Sequence, residues 1–301
     1  MSIDRRLILL PALVAAFVVG TPHGDAIAAV SQPPGLLVFD SSDGLHSVKS
    51  DGTGLKKLVG TDRYDGTPRW SPDGKKIAFW NGQSDGGTTS VDEHVFTSNP
   101  NGTNRRELAV GEYPVWSPNG KLIAFDSALD GEWRIYVMNA NGTNVRRVDT
   151  GRFAGYYPAF QSNSRLSFDA GGTNVGANAD YTSEGIWVVN LNGSGLAPLK
   201  TIARDDTDGS WSPDRKTLAF TTYVHGKGEI AVTTRDGKVE KLTHNTVDDF
   251  DPVWTPDGTH ILFTSGRSGY DEAYVMSPDG SGQQRLTHFP GSYAEEADWR
   301  P

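Results

Sequence analysis

One phrase governs what this chain can become: Trp, then Ser or Thr, Pro, Asp or Asn and Gly, followed within a few residues by an apolar run. It stands at Trp70-Ser71-Pro72-Asp73-Gly74 before Ile77-Ala78-Phe79, and at Trp116-Ser117-Pro118-Asn119-Gly120 before Leu122-Ile123-Ala124-Phe125. It returns at Trp211-Ser212-Pro213-Asp214 before Leu218-Ala219-Phe220, and at Trp254-Thr255-Pro256-Asp257-Gly258 before Ile261-Leu262-Phe263. A worn copy, Phe160-Gln161-Ser162-Asn163, and a terminal fragment, Trp299-Arg300-Pro301, complete the series. The markers at 70, 116, 160, 211, 254 and 299 lie 46, 44, 51, 43 and 45 residues apart. A period of that length is the signature of propellers, solenoids and arrays.

Each repeat has the same internal order. The marker ends a first strand, the Pro-Asp-Gly tract turns the chain, and the apolar run makes a second strand. A variable loop follows, then a third and a fourth strand joined by a Gly-bearing turn, as in residues 135–138 and 146–148. Asn-Gly and Asp-Gly supply the positive φ angles that tight hairpins require. Four antiparallel strands in a repeat of this length make one propeller blade. The leading segment offers three strands, 36–39, 45–49 and 55–59, without a marker, while the last offers the marker Asp298-Trp299 and nothing beyond it. Joined, they make one blade. The chain is therefore predicted to be an all-β, six-bladed β-propeller over residues 35–301, its ring closed by the C-terminal strand pairing with the N-terminal blade. The marker Trp residues are expected between blades, where each buries ~150–250 Å².

Composition narrows the function. A net charge of -9, with no Lys/Arg block, argues against nucleic-acid binding, which needs a clustered basic surface. The chain has no Cys, which excludes disulfides and a lipid-modified N-terminal Cys, so core packing and ring closure must hold the fold. Arg5-Arg6, the apolar stretch 7–20 and the small-x-small triplet Ala26-Ile27-Ala28 predict a cleavable signal peptide over 1–28, a linker over 29–34, and a secreted or periplasmic protein. The apolar stretch, interrupted by Pro11, is shorter than the ~20 residues a bilayer span needs. No membrane span is expected in the mature chain.

The succession Pro-x-Trp-Ser-Pro-Asp-Gly, Ile-Ala-Phe, Ile-Tyr-Val-Met and Arg-Leu-Thr resembles the propeller repeats of the TolB family. Here it is carried by Pro68-Arg69-Trp70-Ser71-Pro72-Asp73-Gly74 with Ile77-Ala78-Phe79, by Ile135-Tyr136-Val137-Met138, and by Arg285-Leu286-Thr287. The likeness runs over roughly residues 35–301 and lacks a counterpart of TolB's N-terminal α/β domain. It implies a non-catalytic module that binds a protein or cell-envelope partner. Similar repeats form the gating propeller of prolyl oligopeptidases and the fold of oligogalacturonate lyases. The alternative is thus a metal-assisted polysaccharide lyase or hydrolase with its site at the channel mouth.

No catalytic set stands out in the sequence. The loops at 81–93, 126–133, 169–185, 223–228 and 265–272 vary, whereas the Gly turns hardly change, which makes the variable face the better binding candidate. His225 lies in one such loop, and His244 and His288 open successive blade-to-blade connections. With Asp248, Asp249 or Glu295 they would suit a divalent cation, a role histidines hold in the lyases this repeat resembles; solvated structural histidines are the other reading. No other cofactor is expected. The positions three before each marker are Thr67, Tyr113, Tyr157, Asp208, Asp251 and Glu296, and equivalent positions in a radial fold form a ring. Three acids then gather on one side of the central channel. They either cap strand starts by accepting backbone N–H bonds or form a site for a cation or a basic group, since like charges close together are costly unless neutralised. Arg267 and Tyr270, with Tyr64, Trp80, Trp133, Tyr156, Tyr181, Tyr223, Phe250, Phe289 and Tyr293, give the loops anchors common at protein and sugar sites. The Gly82-Gln83-Ser84-Asp85-Gly86 stretch matches a nucleophile pattern but has no helix predicted after it, and so reads as an accidental match.

Overall fold

A computed structural model describes residues 35–59, 64–82, 93–172, 183–199, 203–233, 237–289 and 292–301. The expected signal peptide, the linker, Ser84 and Tyr181 lie outside the described residues. The chain forms six four-stranded antiparallel sheets, the blades of a propeller. Blade 1 is the composite that the two chain ends predict: β24 (Glu295–Trp299), β1 (Leu36–Ser41), β2 (Gly44–Lys49) and β3 (Lys56–Val59), in that order. Its closing register pairs Leu37 with Trp299 and Val38 with Asp298. Blades 2 to 6 begin at the marker strands β4 (Tyr64–Trp70), β8 (Glu112–Trp116), β12 (Ala154–Ser162), β16 (Thr207–Trp211) and β20 (Asp249–Trp254).

The marker phrase makes a self-contained turn. Ser71 Oγ donates to Asp73 (2.7 Å) and accepts from the N–H of Lys76 (2.9 Å), and the Gly74 N–H donates to the Ser71 carbonyl (2.8 Å). Ser117 with Asn119, Ser212 with Asp214 and Thr255 with Asp257 repeat the hydroxyl bond at 2.9, 2.7 and 2.7 Å. The left-handed position falls on Gly74, Gly120 and Gly258 at φ 65°, 67° and 70°, where a Cβ is unfavourable. Arg215 occupies it at φ 64° in the copy that lacks Gly.

The core is divided among the six blade interfaces. Val38 and Leu45 of blade 1 meet Trp70, Ile77 and Phe79 of blade 2; Ile186 and Val188 of blade 4 meet Trp211, Leu218 and Phe220 of blade 5. Blades 6 and 1 join through Leu262 and Val275 against Leu37, Phe39 and Trp299. Two markers reach back to the preceding blade by hydrogen bonds, Trp211 Nε1 to Ser167 Oγ (2.9 Å) and Trp116 Nε1 to the Arg69 carbonyl (3.2 Å). The predicted interblade placement therefore holds, with Trp70, Trp211 and Trp299 buried and Trp116 and Trp254 partly so. Closure leaves the outer edges free. Those edges are short, with two-residue fourth strands at Arg146–Arg147, Ala197–Pro198 and Gln284–Arg285, a recognised defence against edge-to-edge pairing.

Candidate functional site: a channel ringed by six bulges

In every blade the marker strand slips register against the second strand at the same place, and in blade 4 it slips again between Phe160 and Ser162. Pairing steps from Gly66↔Trp80 to Arg69↔Ala78, from Glu112↔Asp126 to Val115↔Ala124, and from Tyr156↔Asp169 to Ala159↔Ser167. It steps likewise from Thr207↔Thr221 to Ser210↔Ala219, from Phe250↔Thr264 to Val253↔Leu262, and from Glu295↔Asp40 to Asp298↔Val38. Two residues face one, which is a β-bulge. The single residue opposite is each time a buried Phe: Phe79, Phe125, Phe168, Phe220, Phe263 and Phe39.

The first residue of each bulge is left-handed: Thr67 (φ 48°), Tyr113 (49°), Tyr157 (48°), Asp208 (58°), Asp251 (52°) and Glu296 (48°). These are the six positions three before the markers. A Pro follows in four of them (Pro68, Pro114, Pro158 and Pro252), although the residue before Pro is normally steered to extended backbone. Non-Gly residues held in this region cost ~1–3 kcal/mol each and persist where the surroundings over-determine them. Here the Phe packed opposite supplies that constraint. Bulges re-aim side chains, and these six side chains line one cavity of about 240 Å³ on the propeller axis. Trp70, Trp116 and Trp211 line it farther along the marker strands.

The ring is chemically split. In blade order it runs Glu296, Thr67, Tyr113, Tyr157, Asp208, Asp251, so the acids occupy blades 5, 6 and 1. Thr67 donates to Glu296 Oε2 (2.5 Å) and accepts from Trp80 Nε1 (3.1 Å). The ring centroids of Tyr64 and Trp80 are 5.2 Å apart, those of Trp80 and Tyr113 6.1 Å, and those of Tyr113 and Tyr157 4.3 Å, an aromatic wall across blades 2 to 4. Asp208 accepts from the Thr207 hydroxyl (2.9 Å). Arg69, two residues beyond Thr67, also lines the cavity, with Nη1 donating to the carbonyls of Pro68 (3.0 Å) and Glu296 (2.9 Å).

Burial and repulsion from neighbouring acids hold protons on Asp208 and Asp251. Burial, followed by Asp208 and Glu296, pushes the Asp251 carboxyl well above its ordinary range. Burial raises Asp208 to about 6, with Glu296 adding to it; Arg69 opposes both shifts. A second tier stands behind the ring. Asp40, Asp126 and Asp169, each 0% exposed, are raised well above the carboxylate range, chiefly by burial. Asp169 accepts the N–H of Asp208 (3.0 Å), Asp126 that of Tyr157 (3.4 Å), and Asp40 the hydroxyl of Tyr64. Two carboxyl pairs bridge blades beside the ring. Glu112 is raised to about 8 by burial and then Glu93, and Glu295 to about 8 by burial and then Asp271.

Residues 182–301 match the family described as TolB beta propeller domain. TolB from Acinetobacter baumannii is similar at a TM-score of 0.71 and 19% identity, over 89% of this chain and 67% of that one. The chain is a TolB-like six-bladed propeller. A putative TolB from Agrobacterium tumefaciens gives a TM-score of 0.63 at 16% identity, over 89% and 98% of the two chains. A puromycin-hydrolysing peptidase of Mycobacterium tuberculosis gives 0.55 at 15% identity, over 84% of this chain and 43% of that one. No curated protein sequence matches the chain.

The TolB-like ring gathers Asp208, Asp251 and Glu296, but not as strand caps: all three lie within strands, and Asp208 takes a hydroxyl rather than an N–H. Other expectations need correction. Asp249 is fully buried and accepts from Arg267 Nη2 (2.7 Å) and Asn245 Nδ2 (2.6 Å). Arg267 in turn lies over Tyr274 at 4.8 Å, so these two binding-face candidates form a framework pair instead. His225, His244 and His288 are exposed on separate connections, and among the described residues no group of three or more His, Asp or Glu could hold a metal ion. Asp248 accepts from Lys227 Nζ (2.9 Å) and the Gly228 N–H (3.0 Å). With Tyr270 and Tyr293 it lines a groove of about 590 Å³. The second tier and Arg69 were not singled out in the sequence. The repeated Phe-Asp step at 39–40, 125–126 and 168–169 was the available signal.

Proposed function

We propose that this propeller is an exported, non-catalytic binding module whose partner is a protein or cell-envelope component. The partner docks on the face carrying the variable loops and places a side chain or chain end in the channel mouth. The observation that carries this reading is the sixfold left-handed bulge, a strained device repeated in every blade that turns six side chains into one cavity. Exposed aromatics on the variable loops, Tyr223 (46%) and Tyr270 (57%), supply contact area of the kind protein interfaces favour. The likeness to TolB propellers over almost the whole length of the putative Agrobacterium chain agrees with a propeller that works by binding. The likeness to the peptidase spans under half of that enzyme.

The test is capture from a cell-envelope extract by the mature protein. Capture is expected to survive chelation and His244→Ala or His288→Ala, and to fall at least tenfold in a Tyr223→Ser/Tyr270→Ser double variant. Release of the partner by chelator, together with loss in His244→Ala, overturns the binding-module reading in favour of metal-assisted chemistry. Export is checked by N-terminal sequencing of the secreted or periplasmic product, expected to begin at Ala29.

A further inference from the structure

The split ring selects a particular chemistry. In a closed ring of six blades Asp251 stands across the channel from Tyr113, and Glu296 across from Tyr157. One wall thus carries carboxyl groups and the opposite wall aromatic rings, around a cavity of about 240 Å³ that admits a side chain or chain end but no folded domain. Asp251 is the telling residue. It is enclosed except toward the channel, and its carboxylate has no hydrogen-bond or ion-pair partner among the described residues. Behind its neighbours, Asp169 and Asp40 are 0% exposed and each keeps one carboxylate oxygen without a partner. Buried polar groups are normally satisfied; Asp126, behind Tyr157, keeps one such oxygen as well, so within the cavity itself the carboxyl that lacks a donor is that of Asp251.

The cations already present do not meet the need. Arg69 is committed by Nη1 to two backbone carbonyls, and Arg215 by Nη1 to the Phe160 carbonyl (3.1 Å). The three ring acids therefore share the cavity with two guanidiniums, and neither donates to a ring carboxylate among the described residues. An inorganic cation would use the acids alone and leave the tyrosine wall without a role. An organic cation uses both, because its N–H groups satisfy carboxylates while its positive charge favours an aromatic face.

We propose that the channel mouth is a receptor for one organic cation, a Lys ammonium or Arg guanidinium carried on an extended segment of the partner, bound between Asp208, Asp251 and Glu296 on one side and Tyr113 and Tyr157 on the other. This inference rests on the binding-module reading and names the group that enters the cavity. Tyr223 stands near the acids: burial, then Asp208, with a smaller contribution from Asp251, raises its hydroxyl pKa.

The probe is the capped tripeptide acetyl-Gly-Lys-Gly-amide, titrated calorimetrically into the full mature chain beside its norleucine counterpart and calcium chloride. The Lys peptide is expected to bind at least tenfold more tightly than the norleucine peptide. Asp251→Asn should weaken it at least tenfold while melting at the same or a higher temperature, which separates lost binding from lost folding. Asp208→Asn provides a second variant with the same expected outcome. Equal binding of the two peptides overturns the proposal, as does undiminished binding by both variants, or calcium binding at the acids with no response to the Lys peptide. If the peptide result is negative while capture of the envelope partner persists, only the cation assignment falls; loss of both removes the binding-module reading itself.

Discussion

The two halves of the channel ring share one backbone and differ in everything else. Thr67, Tyr113 and Tyr157 occupy the same left-handed bulge as Asp208, Asp251 and Glu296, within φ 48–58°. All six bulges lie opposite a buried Phe. Yet one half sets aromatic rings edge to face, while the other places Asp208 and Glu296 close enough to add to the burial that raises the proton affinity of Asp251. Scaffold and chemistry are therefore separable. The bulge belongs to the repeat, and the side chain mounted on it can change without moving the backbone.

The strongest challenge to a common scaffold is to remove its support on either side. Phe168→Ala under Tyr157 and Phe263→Ala under Asp251 should each cost ~3–5 kcal/mol in urea unfolding, the range for emptying a buried aromatic site. A cost below ~1 kcal/mol in one half alone would show that the two bulges are held differently. A smaller contrast comes from pH. Asp208, Asp251 and Glu295 hold protons more tightly folded than unfolded, so folding takes up protons. Stability is then greatest at the low end and is lost as pH rises from the ordinary carboxylate range through about 6 for Asp208 and about 8 for Glu295. The melting temperature should fall between pH 4 and 8, and Asp208→Asn/Asp251→Asn should flatten that fall and melt higher at pH 8. Tyr113→Phe should leave the slope unchanged. A double variant as pH-sensitive as the parent would remove the electrostatic distinction between the halves. Glu112 and Glu295, each raised to about 8, and the buried second tier set the remaining slope.

Subtler still is the backbone term. At both Asp251 and Tyr157, Gly should be more stable than Ala by about 1 kcal/mol, because only Gly escapes the Cβ clash of the left-handed region. A preference in one half and none in the other would contradict the shared geometry. The smallest expected effect is Trp80→Phe. Loss of its hydrogen bond to Thr67 should cost about 1 kcal/mol and leave binding at the acidic wall intact.

Much of this molecule is legible before folding. The marker spacing gives the blade count, the Asn-Gly and Asp-Gly turns place the hairpins, and the unmatched ends predict the composite blade that Leu37 and Trp299 close. The ring positions were legible too, because a radial repeat brings equivalent residues to one radius. Asp249 and Arg267 were read as surface groups although one is buried under the other. Polarity alone does not tell a solvated acid from one enclosed beside a guanidinium. The histidines left two readings open in the sequence, because adjacency along successive blades is not convergence; each imidazole lies exposed on its own connection.

What the sequence determined by itself was the count, order and closure of the blades, since period and turn chemistry are local and survive without knowledge of the partner strand. What only the tertiary structure decided was where the ring residues point. A bulge is a mismatch between two strands, and neither strand records it alone. The slip opposite each Phe converts six scattered residues into one cavity, and burial in that cavity, which no single stretch of sequence specifies, raises the proton affinity of Asp208 and Asp251.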